Sequence, residues 1–377
     1  MDRRHFVKLG AGVTAGILLS ASGLTACSSG GSANQAANQP ANQAATPQDN
    51  EAFANPSQMS PELVDAAVAA LKGVAVVTPV IPFAYASDDD KQVFLKLEST
   101  QKTGSFKIRG AYFKMSNMVS RIKQVGVTTC SAGNHAQGVA YSAQEFGAQA
   151  TIFIPSNAPQ EKINKTKSYG ATVQLIDGNF EDAKAAALDF AQANGCEFIP
   201  PYDDYAIMAG QSTVAHEIMD DVPDANVLVV PVGGGGLISG IAYAAKNINP
   251  NIKIFGVQAE NTPSMKASLE AGTPVTVTAL DTLADGIHVA RPGDKPFAEV
   301  QKLVEGVVTV TEDQIAHAIE LLALEGKVVA EGAGATPIAA LTAGLIPFAK
   351  GDKIVCVVSG GNVRAETLSD IVANLTA

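Results

Sequence analysis

The 377-residue sequence predicts an α/β protein with two parallel-sheet lobes and a ligand cleft between them. Three observations carry that expectation. Apolar strand-like runs alternate with helix-like runs, as three units between residues 125 and 193 and again from residue 226 onward. A chain of this length buries a core large enough for two lobes. Finally, three runs end in short polar or glycine-rich turns: Ser131-Ala132-Gly133-Asn134-His135, Gly233-Gly234-Gly235-Gly236-Leu237 and Ser359-Gly360-Gly361-Asn362. Open α/β sheets receive their ligands at such carboxyl ends of strands.

Taken in order, the chain begins with a segment that does not belong to the fold. Arg3-Arg4-His5-Phe6-Val7-Lys8 is basic with a twin arginine, and the apolar stretch over residues 9–19 is too short to span a bilayer. Leu24-Thr25-Ala26-Cys27 then reads as a bacterial lipobox. Residues 1–26 are therefore expected to be a twin-arginine lipoprotein signal, with Cys27 lipidated on the outer face of the membrane. Residues 27–58 repeat Ala-Asn-Gln and hold few large apolar side chains, which predicts a disordered tether with a reach on the order of 30 Å.

Ser60-Pro61-Glu62 opens a helix over residues 60–71, with an N-cap, a first-turn proline and an acid in sequence. Residues 92–98 alternate as a strand, and residues 109–123 read as an amphipathic helix. Strand-to-helix units follow at 125–130 with 134–146, 149–154 with 159–168, and 171–176 with 180–193. A second set comprises 226–232 with a helix after the glycines, then 252–258 with 263–270. Thr311 and Gln314 form a capping box before a helix to residue 324, and 353–358 is a late buried strand. The large lobe is expected over residues 59–123 and 205–377, the small one over 124–204.

The net charge of −11 argues against a nucleic-acid surface. Cys130, Cys196 and Cys356 are odd in number and unpaired in spacing, so no disulfide framework is expected despite the exported address. The five histidines lack metal-ligand spacing.

The chemistry gathers around Gly104-Ser105-Phe106-Lys107-Ile108-Arg109-Gly110. The four glycines from Gly233 follow an apolar strand and open a helix, where free backbone amides favour an anion. The dinucleotide fingerprint G-x-G-x-x-G fails there, since its third glycine would fall on Ile238 or Ser239. A small phosphorylated cofactor fits better. Pyridoxal phosphate needs an amine, a phosphate cradle and a ring-nitrogen partner, and Lys107, the glycine turn and Ser359 supply candidates. Phe106 is either a cover for the cofactor ring or a core phenylalanine. Residues 131–135 offer amides and short polar side chains to a substrate carboxylate, and Asn134 is a ring-oxygen partner, a helix cap, or both.

On these residues, and on Thr78-Pro79, residues 200–204, 282–286 and 331–335, the chain resembles the fold-type II pyridoxal-phosphate enzymes, which share a tryptophan synthase β-like fold. It is most similar to the catabolic threonine dehydratases, with serine racemase as a cousin. The resemblance implies that Lys107 carries the cofactor and removes the substrate's α-proton, that Phe106 packs on the ring, and that Asn134 bonds its 3-hydroxyl. It further implies that Gly233, Gly234, Gly235, Gly236 and Leu237 hold the phosphate, that Ser131, Ala132, Gly133, Asn134 and His135 receive the amino-acid substrate, and that Ser359 faces the ring nitrogen. The implied reaction converts L-threonine or L-serine to a 2-keto acid and ammonia, in a homodimer or homotetramer. Racemases of the family carry a serine where this chain has Ala132, which implies poor racemisation. Their metal site is matched at Glu260, but a second acidic position falls on Lys266, so no metal is expected. The sequence also leaves no room after Asn362 for the regulatory domain of the biosynthetic enzymes. Two other readings stay open: a non-catalytic binder of amino acid or cofactor, and a lyase for another β-substituted amino acid such as 3-hydroxyaspartate.

Overall fold

The structure is a computed structural model that describes residues 49–373. The signal segment, Cys27 and most of the tether lie outside the described residues. The strands are, in chain order, β1 (Val80–Pro82), β2 (Lys91–Leu97), β3 (Val127–Cys130), β4 (Ala150–Pro155), β5 (Thr172–Ile176), β6 (Glu197–Phe198), β7 (Val227–Pro231), β8 (Lys253–Ala259), β9 (Gly306–Val310) and β10 (Asp352–Val358). They form a six-stranded sheet in the order β1-β2-β10-β7-β8-β9 and a four-stranded sheet in the order β5-β4-β3-β6. All pairings are parallel except β1 with β2, an antiparallel edge that the sequence reading did not foresee.

The six-stranded sheet is apolar on both faces because helices cover both. Along β7 and β10 the side chains alternate between two cores. Leu228, Val230, Val355 and Val357 pack with the helices Pro61–Leu71, Tyr205–Asp221 and Gly236–Ile248. Val227, Val229, Ile354, Cys356 and Val358 pack with Glu312–Leu324 and Gly332–Thr342. A third core gathers the inner face of the four-stranded sheet with the helices Lys107–Ser116 and Asn134–Phe146.

Two sequence expectations need correction. The helix expected over residues 109–123 is two helices, Lys107–Ser116 and Val119–Val125, broken at Asn117 and Met118. The first starts at the lysine itself, because Phe106 caps it from an already helical conformation. The tether expected to residue 58 is already packed from Asp49, whose carboxylate accepts the Ser120 and Arg121 amides at 2.8 and 3.0 Å. Glu51–Ala54 is a short helix, with Ala54 fully buried in the third core and its carbonyl accepting Lys114 Nζ at 2.8 Å. Few large apolar residues were needed there: besides Ala54, Phe53 packs partly buried against the first core, and the Asp49 carboxylate and main-chain hydrogen bonds hold the rest.

Close helix contacts bring the two sheets together. A Cβ on Gly210 would lie 2.5 Å from the Gly110 Cα, so the helices Lys107–Ser116 and Tyr205–Asp221 cross with their backbones nearly touching. Likewise a Cβ on Gly138 would lie 3.0 Å from the Lys107 carbonyl carbon. The main chain of Lys107 is therefore pinned between lobes.

Candidate active site

The strands β3, β7 and β10 deliver their three turns to one pocket, and the helix Lys107–Ser116 enters it with its first residue. Phe106 N–H donates to the Ser359 carbonyl at 3.1 Å, and Ser105 bridges Gly360, so this helix start is laced to the end of β10. Phe106, Lys107, Asn134, Gly233, Gly235, Gly236, Leu237 and Ser359 line the pocket together. Gly234 stands just behind that wall, where a Cβ would collide with the Tyr202 ring.

The Lys107 amine donates to the Pro201 carbonyl at 2.9 Å and lies 5.2 Å from the Phe106 ring centroid. Burial lowers its pKa from 10.5 to about 8, although the nearby Glu331 carboxyl pulls the other way. The amine therefore sheds its proton far more readily than a surface lysine. The glycine turn contributes backbone alone: among the described residues, the amides of Gly233, Gly234 and Gly235 donate to no protein acceptor. Gly235 has φ +97°, and a Cβ there would fall 2.7 Å from Met265 Cε and 2.8 Å from Pro296 Cβ. Such a turn, at the start of the helix Gly236–Ile248, is a cradle for a small anion.

In the other turn, the Ser131 hydroxyl accepts the Gly133 amide at 3.1 Å, so it stabilises the turn itself. Asn134 donates from Nδ2 to Glu331 Oε1 at 2.7 Å and accepts from Asn362 Nδ2 at 2.7 Å. His135 turns its side chain inward. Its imidazole is buried, Nε2 pairs with the Ile199 carbonyl at 2.9 Å, and desolvation with the Lys107 charge lowers its pKa from 6.5 to about 3. With its ring engaged at Ile199, His135 offers the turn its main chain at the helix start.

Several site residues had no assigned role in the sequence. Glu331, 4 % exposed, lines the pocket beside Lys107. Arg109, with no exposed surface, binds Glu98 at 2.7 Å and Glu217 at 2.6 Å, and these carboxylates with burial working against them raise its pKa. That network ties the lysine helix to the turn after β2 and to Tyr205–Asp221. Tyr202 covers the glycine turn, and burial with Asp203 pushes its phenol up to about 12, so it is neutral. Arg109 and Tyr202 lay inside motifs already singled out, yet Arg109 reaches 108 positions along the chain to Glu217 and Tyr202 covers Gly234 from another turn, and no local pattern names these pairings.

Glu260, exposed at the end of β8, faces no cluster of acids, cysteines or histidines able to hold a metal ion among the described residues. The arrangement thus offers a reactive amine, an anion cradle and a neutral hydroxyl, Ser359, 3 % exposed, on one pocket. Those are the donors that pyridoxal phosphate requires, and the fit rests on the desolvated amine and the side-chain-free cradle.

The comparisons with known proteins agree. Residues 72–360 match the family model described as pyridoxal-phosphate dependent enzyme. The chain is similar to the L-threonine ammonia-lyase of Thermotoga maritima, with 50 % identity over 74 % of this chain and 70 % of the relative. Similarity to the catabolic L-threonine dehydratase of Escherichia coli K12 is 45 % over 74 % of this chain and 85 % of the relative. Among solved structures, the processed threonine deaminase isoform 2 from Solanum lycopersicum superposes with a TM-score of 0.77 at 36 % identity, over 85 % of this chain and 95 % of that one.

Proposed function

The chain belongs to the pyridoxal-phosphate dependent enzymes, and from that premise we propose that it eliminates the β-hydroxyl of L-threonine and L-serine. The products are ammonia with 2-oxobutyrate or pyruvate. Water lost in the elimination is regained in the final hydrolysis, so the net reaction consumes none. The observation that carries this reading is the Lys107 amine, desolvated and placed in one pocket with the glycine cradle and Ser359.

Bound pyridoxal phosphate supplies an electron sink that acidifies the substrate's α-hydrogen. Lys107 Nζ takes that hydrogen as a proton, and its lowered affinity for protons keeps it available as a base near neutral pH. Residues 233–237 hold the phosphate through their amides. Phe106 packs against the ring, Asn134 bonds its 3-hydroxyl, and the amides of residues 131–135 receive the substrate carboxylate. Ser359 presents a neutral hydroxyl to the ring nitrogen, which favours prompt elimination over prolonged proton exchange at the α-carbon. Ala132 places no acid or base on the opposite face, so racemisation is slow.

The purified full chain, supplied with pyridoxal phosphate, is expected to turn yellow and release keto acid from L-threonine. A panel adding L-serine, 3-hydroxyaspartate and 2,3-diaminopropionate sets the substrate. Turnover of 3-hydroxyaspartate alone would reassign it, and a colourless, inactive protein would leave only the binder reading.

The setting is part of the same proposal. Arg3, Arg4 and the lipobox ending at Cys27 support export as a folded lipoprotein, anchored to the outer face of the cytoplasmic membrane. The variant Cys27→Ser should move the protein from the membrane fraction to the soluble one. Assembly as a homodimer or homotetramer rests on the resemblance alone, and light scattering on the detergent-extracted chain measures it.

A further inference from the structure

Glu331 is the acid of the pocket wall, and its surroundings are built to keep it there. It immediately precedes the helix Gly332–Thr342. Its Oε1 accepts Asn134 Nδ2 at 2.7 Å, and its Oε2 accepts the Asn362 amide at 3.2 Å. Gly360 and Gly286 press against the carboxylate, since a Cβ on either would stand 2.5 and 3.0 Å from Oε1. Asn362 closes the triangle, donating from Nδ2 to Asn134 Oδ1 at 2.7 Å and to the Thr103 carbonyl at 2.9 Å. With Oδ1 and one amide hydrogen engaged, Asn134 has a single orientation and one hydrogen left for a ligand.

The charges around this triangle come from four elements. Lys107 stands on its helix, Asp285 on the turn Asp285–Ile287, and Lys162 and Lys165 on Gln160–Ser168, where Lys162 pairs with Asp285 and Lys165 donates to Asn362 Oδ1. His135, on Asn134–Phe146, is neutral. Burial first, then Asp285, raises the Glu331 pKa from 4.5 to about 7, against the hydrogen bonds from Asn134 and Asn362 and the charge of Lys162. Near neutral pH this carboxyl is therefore divided between its two forms, and only the ionised form holds a proton on Lys107.

We propose that Glu331 is a positioning residue with two tasks: it orients Asn134 toward the cofactor ring, and its charge sets the pH at which Lys107 captures the cofactor. The proposal rests on the cofactor reading above but not on the identity of the substrate. The amine attacks an aldehyde only in its neutral form, so capture rises with pH through the amine's titration. Removing the Glu331 charge lowers that midpoint, because the ionised carboxyl favours the ammonium form.

The experiment strips the full chain of cofactor, adds pyridoxal phosphate across a pH series, and reads visible absorbance without substrate. Glu331→Gln keeps an acceptor for Asn134 and removes the charge. Its capture midpoint should fall by about one pH unit, the ordinary size of an environmental shift in a folded protein. Glu331→Asp keeps the charge but shortens the reach, so its midpoint stays near that of the parent while cofactor affinity drops. Asp285→Asn, at an exposed position where folding is not at risk, leaves Glu331 more fully ionised and should move the midpoint up. A purely structural Glu331 would change the amount of cofactor captured at every pH and leave the midpoints together. Coincident midpoints in Glu331→Gln, or in Asp285→Asn if the first variant does not fold, overturn the proposal. A parent chain that captures no cofactor at any pH overturns the reading beneath it, whereas failure to turn over threonine leaves this test intact.

Discussion

The turns after β3 and β7 face one pocket and are built in opposite ways. Residues 233–236 have no side chains, and their shape is imposed from outside by Tyr202, Met265, Pro296 and Ile287. Residues 131–135 are held by their own side chains: Ser131 on the Gly133 amide, Asn134 on Glu331 and Asn362, and His135 on the Ile199 carbonyl. The difference follows from what each turn offers. A turn that presents bare amides to a phosphate has no atoms of its own for bracing, so its walls must be close-packed. A turn that offers a side-chain amide must aim it, and the aiming contacts can cross from one lobe to the other. The first turn is therefore rigid by packing, and the second is placed by polar links that also join the small lobe to the large one.

The largest effect should come from breaking the packed turn. Gly234→Ala drives a methyl into the Tyr202 ring, an overpacking that costs about 1–3 kcal/mol. Cofactor retention in dialysis should fall about tenfold to a hundredfold, and the melting temperature of the cofactor-free chain should fall by about a few degrees. Asn134→Ala attacks the polar turn instead, leaving Glu331 Oε1 without its donor and Asn362 Nδ2 with the Thr103 carbonyl alone, a cost of roughly 1–3 kcal/mol. Because the phosphate cradle is untouched, this variant should lose much less cofactor than Gly234→Ala while losing about tenfold in kcat/KM. Equal loss of cofactor in both variants would erase the distinction between the turns. The smallest effect belongs to Lys162→Ala, which removes the lobe-crossing pair with Asp285. The carboxylate there is half exposed, so the pair contributes about 0.2–1 kcal/mol, and KM should rise less than about fivefold and converge with the parent at high salt.

Much of this architecture was legible in the sequence, for identifiable reasons. β7, β8 and β10 stand out as apolar runs because both faces of each are covered. The helix Tyr205–Asp221 has no such signal, since it is buried nearly all round and its periodicity disappears. Its role depends on Gly210 meeting Gly110, a contact between positions a hundred residues apart. At the site, Lys107, the glycine turn and Ser359 are local motifs and could be read directly. Glu331 could not: its partner Asn134 lies 197 positions away, and its significance comes from burial. His135 sat in the right motif, but its ring turns inward to the buried Ile199 carbonyl, which also accepts the Thr129 hydroxyl.

The measurement that tests the central claim most directly is the site of cofactor attachment. The full chain is loaded with pyridoxal phosphate, treated with borohydride to make the lysine linkage permanent, digested, and mapped by mass spectrometry. The account predicts the cofactor's mass on the peptide that contains Lys107, and its complete absence after Lys107→Ala. Label on any other lysine, or label that survives that substitution, would contradict it.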